Sequence, residues 1–241
     1  ELLKEKLFTN SIQFNKKVEK INYSNSKVEI TFKNNAIETF DYLIIADGVF
    51  SLTKSILFNK NIEPKYFGSL AFRTLIKKGD LRFINENNIS LFLGSNVHLA
   101  AYPINIKNEI NLIAIIRKNL DTKILNDESF FSKKDNIRKL LNDSSIKENN
   151  NLQNLFNSIG DLKCFPIFVS DKIRKNKFEN TFFLGDAFCA FPPTFAQGAS
   201  QSIEIAYELF NILTEENKTN FDQYFIERDK RVIMIDQRSK L

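Results

Sequence analysis

Two short apolar runs, each ending in a small-residue turn with one aspartate, constrain this fold more than any other feature. Tyr42-Leu43-Ile44-Ile45-Ala46 leads into Asp47-Gly48, and Thr181-Phe182-Phe183-Leu184 leads into Gly185-Asp186. A continuous apolar run bounded by turn residues is typical of a strand buried on both faces of a parallel sheet. The sequence therefore predicts an α/β fold in which two buried strands deliver aspartate-bearing turns to one sheet edge.

These turns suit a ligand site. Open α/β sheets bind ligands outside the carboxyl ends of their strands. An aspartate there accepts hydrogen bonds from ligand hydroxyls, and a glycine permits close backbone approach. After the second turn, Gln197-Gly198 opens directly onto a long helix, whose first N–H groups and positive dipole end favour negative charge. The alternative, that each aspartate only caps a helix or turn, stays open.

The rest of the chain alternates between strand-like and helix-like patterns. Period-two alternation and turn residues predict antiparallel strands in two groups. The first group is Ser11–Phe14, Val18–Tyr23, Val28–Phe32 and Ile37–Phe40, and the second is Gly68–Ile76, Ile89–Leu93, His98–Ile104 and Glu109–Arg117. Helical spacing predicts a short helix over Leu52–Phe58 and further helices around 137–141 and 152–159. In the long helix, Ala199, Ile203, Ala206, Phe210 and Leu213 fall on one face, and a basic amphipathic helix over Phe221–Arg238 ends the pattern.

Composition excludes several classes of protein. The 241 residues are 43% hydrophobic and 26% charged, as in ordinary globular chains, and contain no apolar run long enough to span a membrane. The net charge is +5, and the basic residues are interleaved with acidic ones along the chain. We therefore expect no nucleic-acid partner and at most peripheral membrane contact. Cys164 and Cys189 have no metal-ligand spacing, so we expect no metal site and a reducing, cytoplasmic location.

The two turn segments, taken in order, resemble the fingerprints of the FAD-dependent aromatic hydroxylases, the single-component flavoprotein monooxygenases. The segment 41–51, which contains Ala46-Asp47-Gly48 and ends at Ser51, is similar to that family's DG motif. The segment 185–199 is similar to its GD motif. The ending Ala196-Gln197-Gly198-Ala199 is most like the salicylate hydroxylase branch. Weaker similarity lies in Ala71-Phe72-Arg73 and in the segment 98–103.

This resemblance implies an architecture. It consists of part of a Rossmann-like FAD-binding domain, at 1–62 and 161–241, interrupted by an antiparallel substrate sheet with flanking helices at 63–160. It also implies that about a hundred residues of a complete enzyme precede this chain, because no GxGxxG motif occurs in it.

The resemblance also implies residue roles and a reaction. Asp186 would hydrogen-bond the ribityl chain of FAD, Gly185 is a further cofactor-binding candidate, and Asp47 and Gly48 would lie near the pyrophosphate and a passing nicotinamide. Pro193 would lie beside the isoalloxazine ring, with Gln197, Gly198 and Ala199 at its pyrimidine edge. The reaction would be reduction of FAD by NADH or NADPH, use of dioxygen, and hydroxylation of a small aromatic or quinone-like ring.

Alternatives to this hypothesis remain. Phe188-Cys189 stands where the family usually has Ala-His, and a thiol cannot reproduce the hydrogen bonding of imidazole. The same fold would also serve an epoxidase, a halogenase, a flavin reductase or a noncatalytic remnant of a FAD domain.

Three residues are candidates for the substrate side. His98, the one histidine, is either structural or an acid–base group. Arg73 is suited to a substrate carboxylate or to a surface ion pair. Tyr102 belongs to the core or to a substrate wall.

Overall fold

The computed structural model describes residues 5–7, 11–24, 26–79, 84–85, 87–104, 108–144, 146, 150–170, 178, 180–214 and 221–239. The chain divides into two compact units. Unit 1 is Glu1–Lys65 with Val169–Leu241, and unit 2 is Tyr66–Phe168. None of the described helices combines the length and apolar character needed to cross a membrane.

The described strands, in chain order, are β1 (Val18–Ser24), β2 (Lys27–Phe32), β3 (Ile37–Phe40), β4 (Leu43–Ile45), β5 (Lys65–Lys77), β6 (Ser90–Leu93), β7 (Val97–Ile104), β8 (Glu109–Arg117), β9 (Lys163–Val169) and β10 (Thr181–Phe183). The described α-helices are α1 (Leu52–Leu57), α2 (Thr122–Leu125), α3 (Lys134–Asn142), α4 (Asn150–Ser158), α5 (Gly185–Phe188), α6 (Gly198–Thr214) and α7 (Phe221–Ser239). Short 3₁₀ turns cover Phe130–Ser132 and Pro193–Phe195.

Unit 1 is built around the parallel pair that the two apolar runs predict. β10 pairs with β4 in parallel, so that Phe182 lies opposite Ile44 and Phe183 opposite Ile45. β1, β2 and β3 form a separate antiparallel meander. The Tyr23 hydroxyl of β1 lies 2.6 Å from Thr181 Oγ1 and ties this meander to β10. The parallel pair brings the turns at 46–48 and 184–186 together.

Unit 2 is a five-stranded sheet in the order β6-β7-β8-β5-β9. β5–β8, β6–β7 and β7–β8 are antiparallel pairs. Alternate side chains on one sheet face, including Phe72, Leu99 and Leu112, pack in one buried cluster with Ile137 and Leu140 of α3 and with α4. The opposite face of the sheet carries the residues between these positions. The predicted mixed fold, helices and a parallel pair with a separate antiparallel sheet, is confirmed.

Three local expectations are wrong. Ser11–Phe14 forms no strand and pairs with none of the described strands, because alternation alone supplies no ladder partner. β4 is not buried on both faces, because Ile44, in the middle of the strand, is 45% exposed to solvent. The predicted apolar face of α6 is also exposed at Ile203 and Phe210, and the helix instead buries Gln201, Ile205 and Leu209.

The limits of the units differ slightly from those expected. The sequence divides the chain after residues 62 and 160, whereas the compact units divide after 65 and 168. The shift at the second limit reflects β9, which joins the five-stranded sheet beside β5. The predicted connection at 105–108 lies mostly outside the described residues, as do 1–4 of the expected amino-terminal helix.

A buried arginine joins the two long helices of unit 1. Arg228 of α7 is 5% exposed. Its Nη2 donates to Glu204 Oε1 at 2.9 Å and also to Glu208, both on α6. Arg231, which is more exposed, reaches Glu204 Oε2 at 3.4 Å. The sequence predicted a basic, amphipathic last helix. The structure shows in addition that one arginine of this helix is buried and binds two glutamates of α6.

We predict that Arg228→Met lowers the free energy of unfolding by about 1–3 kcal/mol, because it removes charge-assisted hydrogen bonds to two glutamates that stay in place. Arg231→Met is the matched control and changes stability by less than about 1 kcal/mol, since its single ion pair is long and exposed. Chemical denaturation of both variants measures the difference. Equal losses in the two variants would contradict a special role for the buried arginine.

Candidate functional site

A groove of about 500 Å³ opens where β4 and β10 end. It lies entirely within unit 1. Its lining comes from three places in the chain: the turn after β4, the turn after β10, and the first residues of α6. The lining residues are Ala46, Gly48, Leu184, Gly185, Asp186, Gly198, Ala199 and Ser202. Five residues predicted to bind a cofactor, namely Gly48, Gly185, Asp186, Gly198 and Ala199, therefore meet in one groove.

The turn after β4 both lines the groove and starts α1. Gly48 has φ +82°, a left-handed conformation that favours glycine, and a Cβ added there would meet open space. Asp47 Oδ2 accepts a hydrogen bond from Thr53 N at 3.1 Å, and Ser51 Oγ accepts one from Lys54 N at 3.0 Å. Asp47 thus supports the start of α1, which is the capping role that the sequence left open, and its predicted cofactor role stays a prediction.

The turn after β10 packs tightly against α6. Gly185 has φ +54°, and a Cβ built on it would lie 2.8 Å from Ser202 Oγ. Ser202 Oγ itself donates to Gly198 O at 2.9 Å. The absence of a side chain at Gly185 therefore lets the β10 turn approach the first turn of α6. This contact sets the distance between two walls of the groove.

Asp186 follows this turn and differs in its surroundings from Asp47. Its carboxylate has no hydrogen-bond partner among the residues that the structure describes, and partial burial raises the pKa of this carboxyl above its ordinary value. Gln201 N donates to Gln197 O at 2.9 Å, the first backbone bond of α6, so the N–H groups of Gly198 and Ala199, two residues that line the groove, have no acceptor within the helix. The groove thus combines acceptors from Asp186 with donors from a helix end.

A buried lysine supports the groove from behind. Lys54 of α1 is 1% exposed, and its Nζ donates to Ala187 O, in the helix that follows the β10 turn, at 3.1 Å. Burial lowers the pKa of this ammonium group, while nearby Asp47 acts in the opposite direction. Lys54 therefore links the two aspartate-bearing turns from inside unit 1.

The loop before α6 holds the remaining predicted cofactor residues. Pro193 begins a 3₁₀ turn and is exposed, and Ala196 adopts a left-handed conformation with φ +51°. Thr194 Oγ1 donates to Ser239 O at the end of α7 at 2.8 Å, which anchors the loop. Gln197 is half-buried at the start of α6. The roles of Pro193 and Gln197 stay predictions.

Cys189 points into unit 1. It is 6% exposed, packs in the cluster with Ile45 and Phe183, and its Sγ donates to Ser170 O at 3.6 Å. The thiol acts here as a small core side chain. No group of histidine, cysteine or carboxylate side chains in the described part of the chain could hold a metal ion.

The three substrate-side candidates share one face of the sheet in unit 2. Arg73 of β5 lies opposite Ile113 of β8, which lies opposite Ala100 of β7. His98 and Tyr102 are two residues to either side of Ala100, so their side chains project from the same face as Arg73. The core helices pack on the opposite face, against Phe72 and Leu99. His98, Arg73 and Tyr102 therefore lie on the sheet face opposite the core helices.

No protein-family model matches this sequence, and no curated protein matches it. Solved structures do match. A salicylate hydroxylase in complex with substrate superposes with a TM-score of 0.79 at 18% identity, over 99% of this chain and 63% of that protein. The chain shares the fold of these solved structures. HpxO of Klebsiella pneumoniae with FAD and uric acid has a TM-score of 0.73 at 17% identity, over 96% of this chain and 58% of its own.

A third match extends the same result. The 2,6-dihydroxypyridine-3-hydroxylase of Arthrobacter nicotinovorans has a TM-score of 0.71 at 15% identity, over 93% of this chain and 61% of that protein. The fold that the two sequence motifs predict is thereby confirmed. The chain spans about six tenths of the length of these solved structures.

Sequence reasoning missed two residues that shape the groove. Ser202 and Lys54 lie beside it or behind it, but neither belongs to a motif that the sequence singled out. One local sequence pattern could have predicted that Lys54 is buried. It lies three residues before Leu57 and three after the cap Ser51, on the face of α1 that a short helix must bury.

We predict that Gly185→Ala lowers the free energy of unfolding by about 2–4 kcal/mol, because it combines left-handed strain with a clash against Ser202. Gly48→Ala is the control. It has the same kind of φ but open space at Cβ, so its cost is about 1–2 kcal/mol. Adding Ser202→Ala to Gly185→Ala restores part of the loss. Thermal and chemical unfolding of the three variants tests this, and identical costs at the two glycines would refute the close-packing role.

Proposed function

We propose that the chain is the larger part of a FAD-dependent monooxygenase that hydroxylates a small aromatic or similar ring, with NADH or NADPH as reductant and dioxygen as co-substrate. The observation that carries this proposal is the groove at the ends of β4 and β10, where two motif segments and the start of α6 converge. The likeness in fold to a salicylate hydroxylase and to HpxO with FAD supports it.

The residues present fit a flavin. A ligand that carries hydroxyl groups needs an acceptor, and Asp186 offers a carboxylate with no partner among the described residues. A flat ring needs close access to backbone N–H groups, and an added Cβ at Gly198 would meet nothing within 4 Å, so the surface beside the helix end is open. Gly48 likewise places no side-chain atoms in the groove, and its positive φ favours glycine at this position.

Each part of the groove then has a distinct task. Asp186 accepts hydrogen bonds from the ribityl hydroxyls, and the N–H groups at the start of α6 stabilise negative charge on the pyrimidine edge of the ring. Lys54 and the Gly185–Ser202 contact hold the walls in position. When bound, FAD supplies the redox chemistry by which dioxygen becomes a hydroxylating agent.

In this proposal, the sheet face of unit 2 that is opposite the core helices supplies the substrate side. Arg73, His98 and Tyr102 project from this face and offer a cation, an imidazole and a phenol. These are groups that orient a ring and exchange its protons. The choice between NADH and NADPH stays open.

We predict that Asp186→Ala weakens FAD binding about 5- to 150-fold, which corresponds to the loss of about 1–3 kcal/mol expected when hydroxyls of the bound ligand are left without an acceptor. Burial raises the pKa of this carboxyl above its value in the unfolded chain. Its contribution to stability is therefore present below the unfolded-state pKa and is lost as pH rises through the folded-state pKa. At pH 7, the ligand-free variant is then at least as stable as the wild type.

The measurement is a flavin titration, followed by fluorescence, on the protein as its gene encodes it. Asp41→Ala is the control, because Asp41 lies before β4 in an exposed ion pair with Lys27. An unchanged FAD affinity for Asp186→Ala would remove Asp186 from the site.

We predict that Gly198→Val reduces FAD affinity at least tenfold, because the added carbons occupy the space where the ring meets the start of α6. Stability changes by less than about 1 kcal/mol, since no protein atom stands within 4 Å of the new Cβ. Gly198→Ala gives a smaller loss of affinity. Flavin content per mole of purified protein and thermal unfolding separate the two effects, and a fully flavinated Gly198→Val protein would exclude this helix end from the flavin site.

A further inference from the structure

The sheet of unit 2 has an apolar edge that is open to solvent. Its outer strands are β6 and β9, and no other strand that the structure describes lies along the outer side of β6. Leu91 and Leu93 of β6 are 62% and 75% exposed, and Ile89, just before the strand, is 69% exposed. We call the segment 89–93 the β6 edge. An exposed apolar edge strand is a template for pairing with another strand.

The backbone of the β6 edge directs hydrogen-bonding groups away from the sheet. In the turn that joins β6 to β7, Gly94 N donates to Val97 O at 2.9 Å, so these two residues form a hydrogen-bonded pair. Hydrogen-bonded and non-hydrogen-bonded pairs alternate along an antiparallel ladder. Leu91 and Leu93 are therefore at positions that form no bonds to β7. Their N–H and C=O groups point outward, where a second strand can bond them.

The side chains of the β6 edge fit a second copy of the same edge. Ile89, Leu91 and Leu93 alternate along the chain and so project from one sheet face. When two such edges pair antiparallel about a two-fold axis at Leu91, this residue lies opposite its own copy, and Ile89 lies opposite Leu93 of the other copy. Every side chain on that face then meets an apolar one, and the outward backbone groups of the same residues bond each other.

The charge pattern also favours an identical partner. Positions 87–106 contain no aspartate, glutamate, lysine or arginine, although 26% of the chain is charged. Two-fold pairing brings each strand against an identical one, so a charge at its centre would face a like charge and oppose the contact. The net charge of +5 makes two copies repel each other over the rest of their surfaces. The uncharged β6 edge is free of this repulsion.

The opposite edge of the same sheet is protected against pairing. β9 begins with Lys163 and contains Pro166, which has no N–H group to donate. Lysine and proline are residues by which natural edge strands avoid association. β6 contains neither. Pairing through β6 therefore joins two copies in a closed, two-fold arrangement, and the other outer strand described in the sheet resists the addition of a third copy.

We propose that the β6 edge is the interface of a homodimer, in which two copies of the chain pair antiparallel about a two-fold axis at Leu91. Their five-stranded sheets then form one continuous sheet. A contact made by one strand from each copy is at the small end of specific interfaces, so we expect a dissociation constant on the order of micromolar. The inference is independent of the proposed function, because it uses no residue of the groove in unit 1.

The test is sedimentation velocity of the protein, as its gene encodes it, at increasing concentration. We expect the wild type to change from monomer to dimer. Leu91→Lys places two like charges opposite each other and weakens the dimer about tenfold or more. Phe165→Lys is the matched control, because Phe165 is a half-exposed apolar residue of β9, the other outer strand, and we expect it to leave the dimer intact. Thermal unfolding shows whether each variant is folded.

A mixture of two variants tests the register of the pairing. L91K and L91E are each expected to be monomeric when alone, because identical charges meet at the two-fold axis. In an equal mixture of the two, a lysine faces a glutamate, and we expect dimers to form again. A variant that merely fails to fold would not be rescued by a partner of opposite charge.

Four results would overturn the proposal: a wild type that stays monomeric at every concentration, a dimer that persists in L91K, a dimer that is lost equally in Phe165→Lys, or an L91K and L91E mixture that stays monomeric. The first result is also the one expected if another part of the encoded polypeptide covers β6. Oligomers that grow beyond the dimer would contradict the closed two-fold pairing.

Discussion

The parallel pairing of β4 with β10 is the constraint on which the rest of unit 1 depends. Three residues of each strand are in register, and both strands end at the same edge. Each strand leads there into a turn that contains glycine and aspartate. Because parallel strands need a long crossover connection, the chain can place all of unit 2 between them without disturbing this edge. The groove exists because two distant turns end side by side.

The helices of unit 1 hold that edge in shape. Gly185 allows the β10 turn to touch α6, and Lys54 fastens α1 to the backbone beyond the same turn. Arg228 fastens α6 to α7 through two glutamates. The buried ion pairs and close packing behind the groove stabilise the fold. Asp186 and the first N–H groups of α6 take no part in these contacts and keep hydrogen-bonding capacity for a ligand.

Much of the fold was predictable because strand alternation and turn residues act locally. Glu109–Arg117 was predicted to the residue, and the helix predicted over Leu52–Phe58 matches α1 to within one residue. Ser11–Phe14 failed because a strand also needs a partner, which alternation does not supply. The prediction of the buried face of α6 was wrong at Gln201. Its side chain is buried and donates a hydrogen bond to Glu204, and hydrophobic periodicity does not take such a contact into account.

The site was predictable only in part, for a similar reason. The motif residues Gly48, Gly185, Asp186, Gly198 and Ala199 meet as expected. In contrast, Lys54 and Ser202 act through contacts with residues outside their own helices, which neither motif marks. Asp47 shows the limit of a motif, because one of its oxygens supports a helix start and its other role depends on a ligand.

We propose that the groove at the ends of β4 and β10 binds the flavin, and a crystal structure of the protein grown with FAD tests this. We expect density for the ring against Gly198 and Ala199, with the ribityl hydroxyls within hydrogen-bonding distance of Asp186. Flavin bound elsewhere on the protein, or a groove that stays empty at saturating FAD, would contradict it.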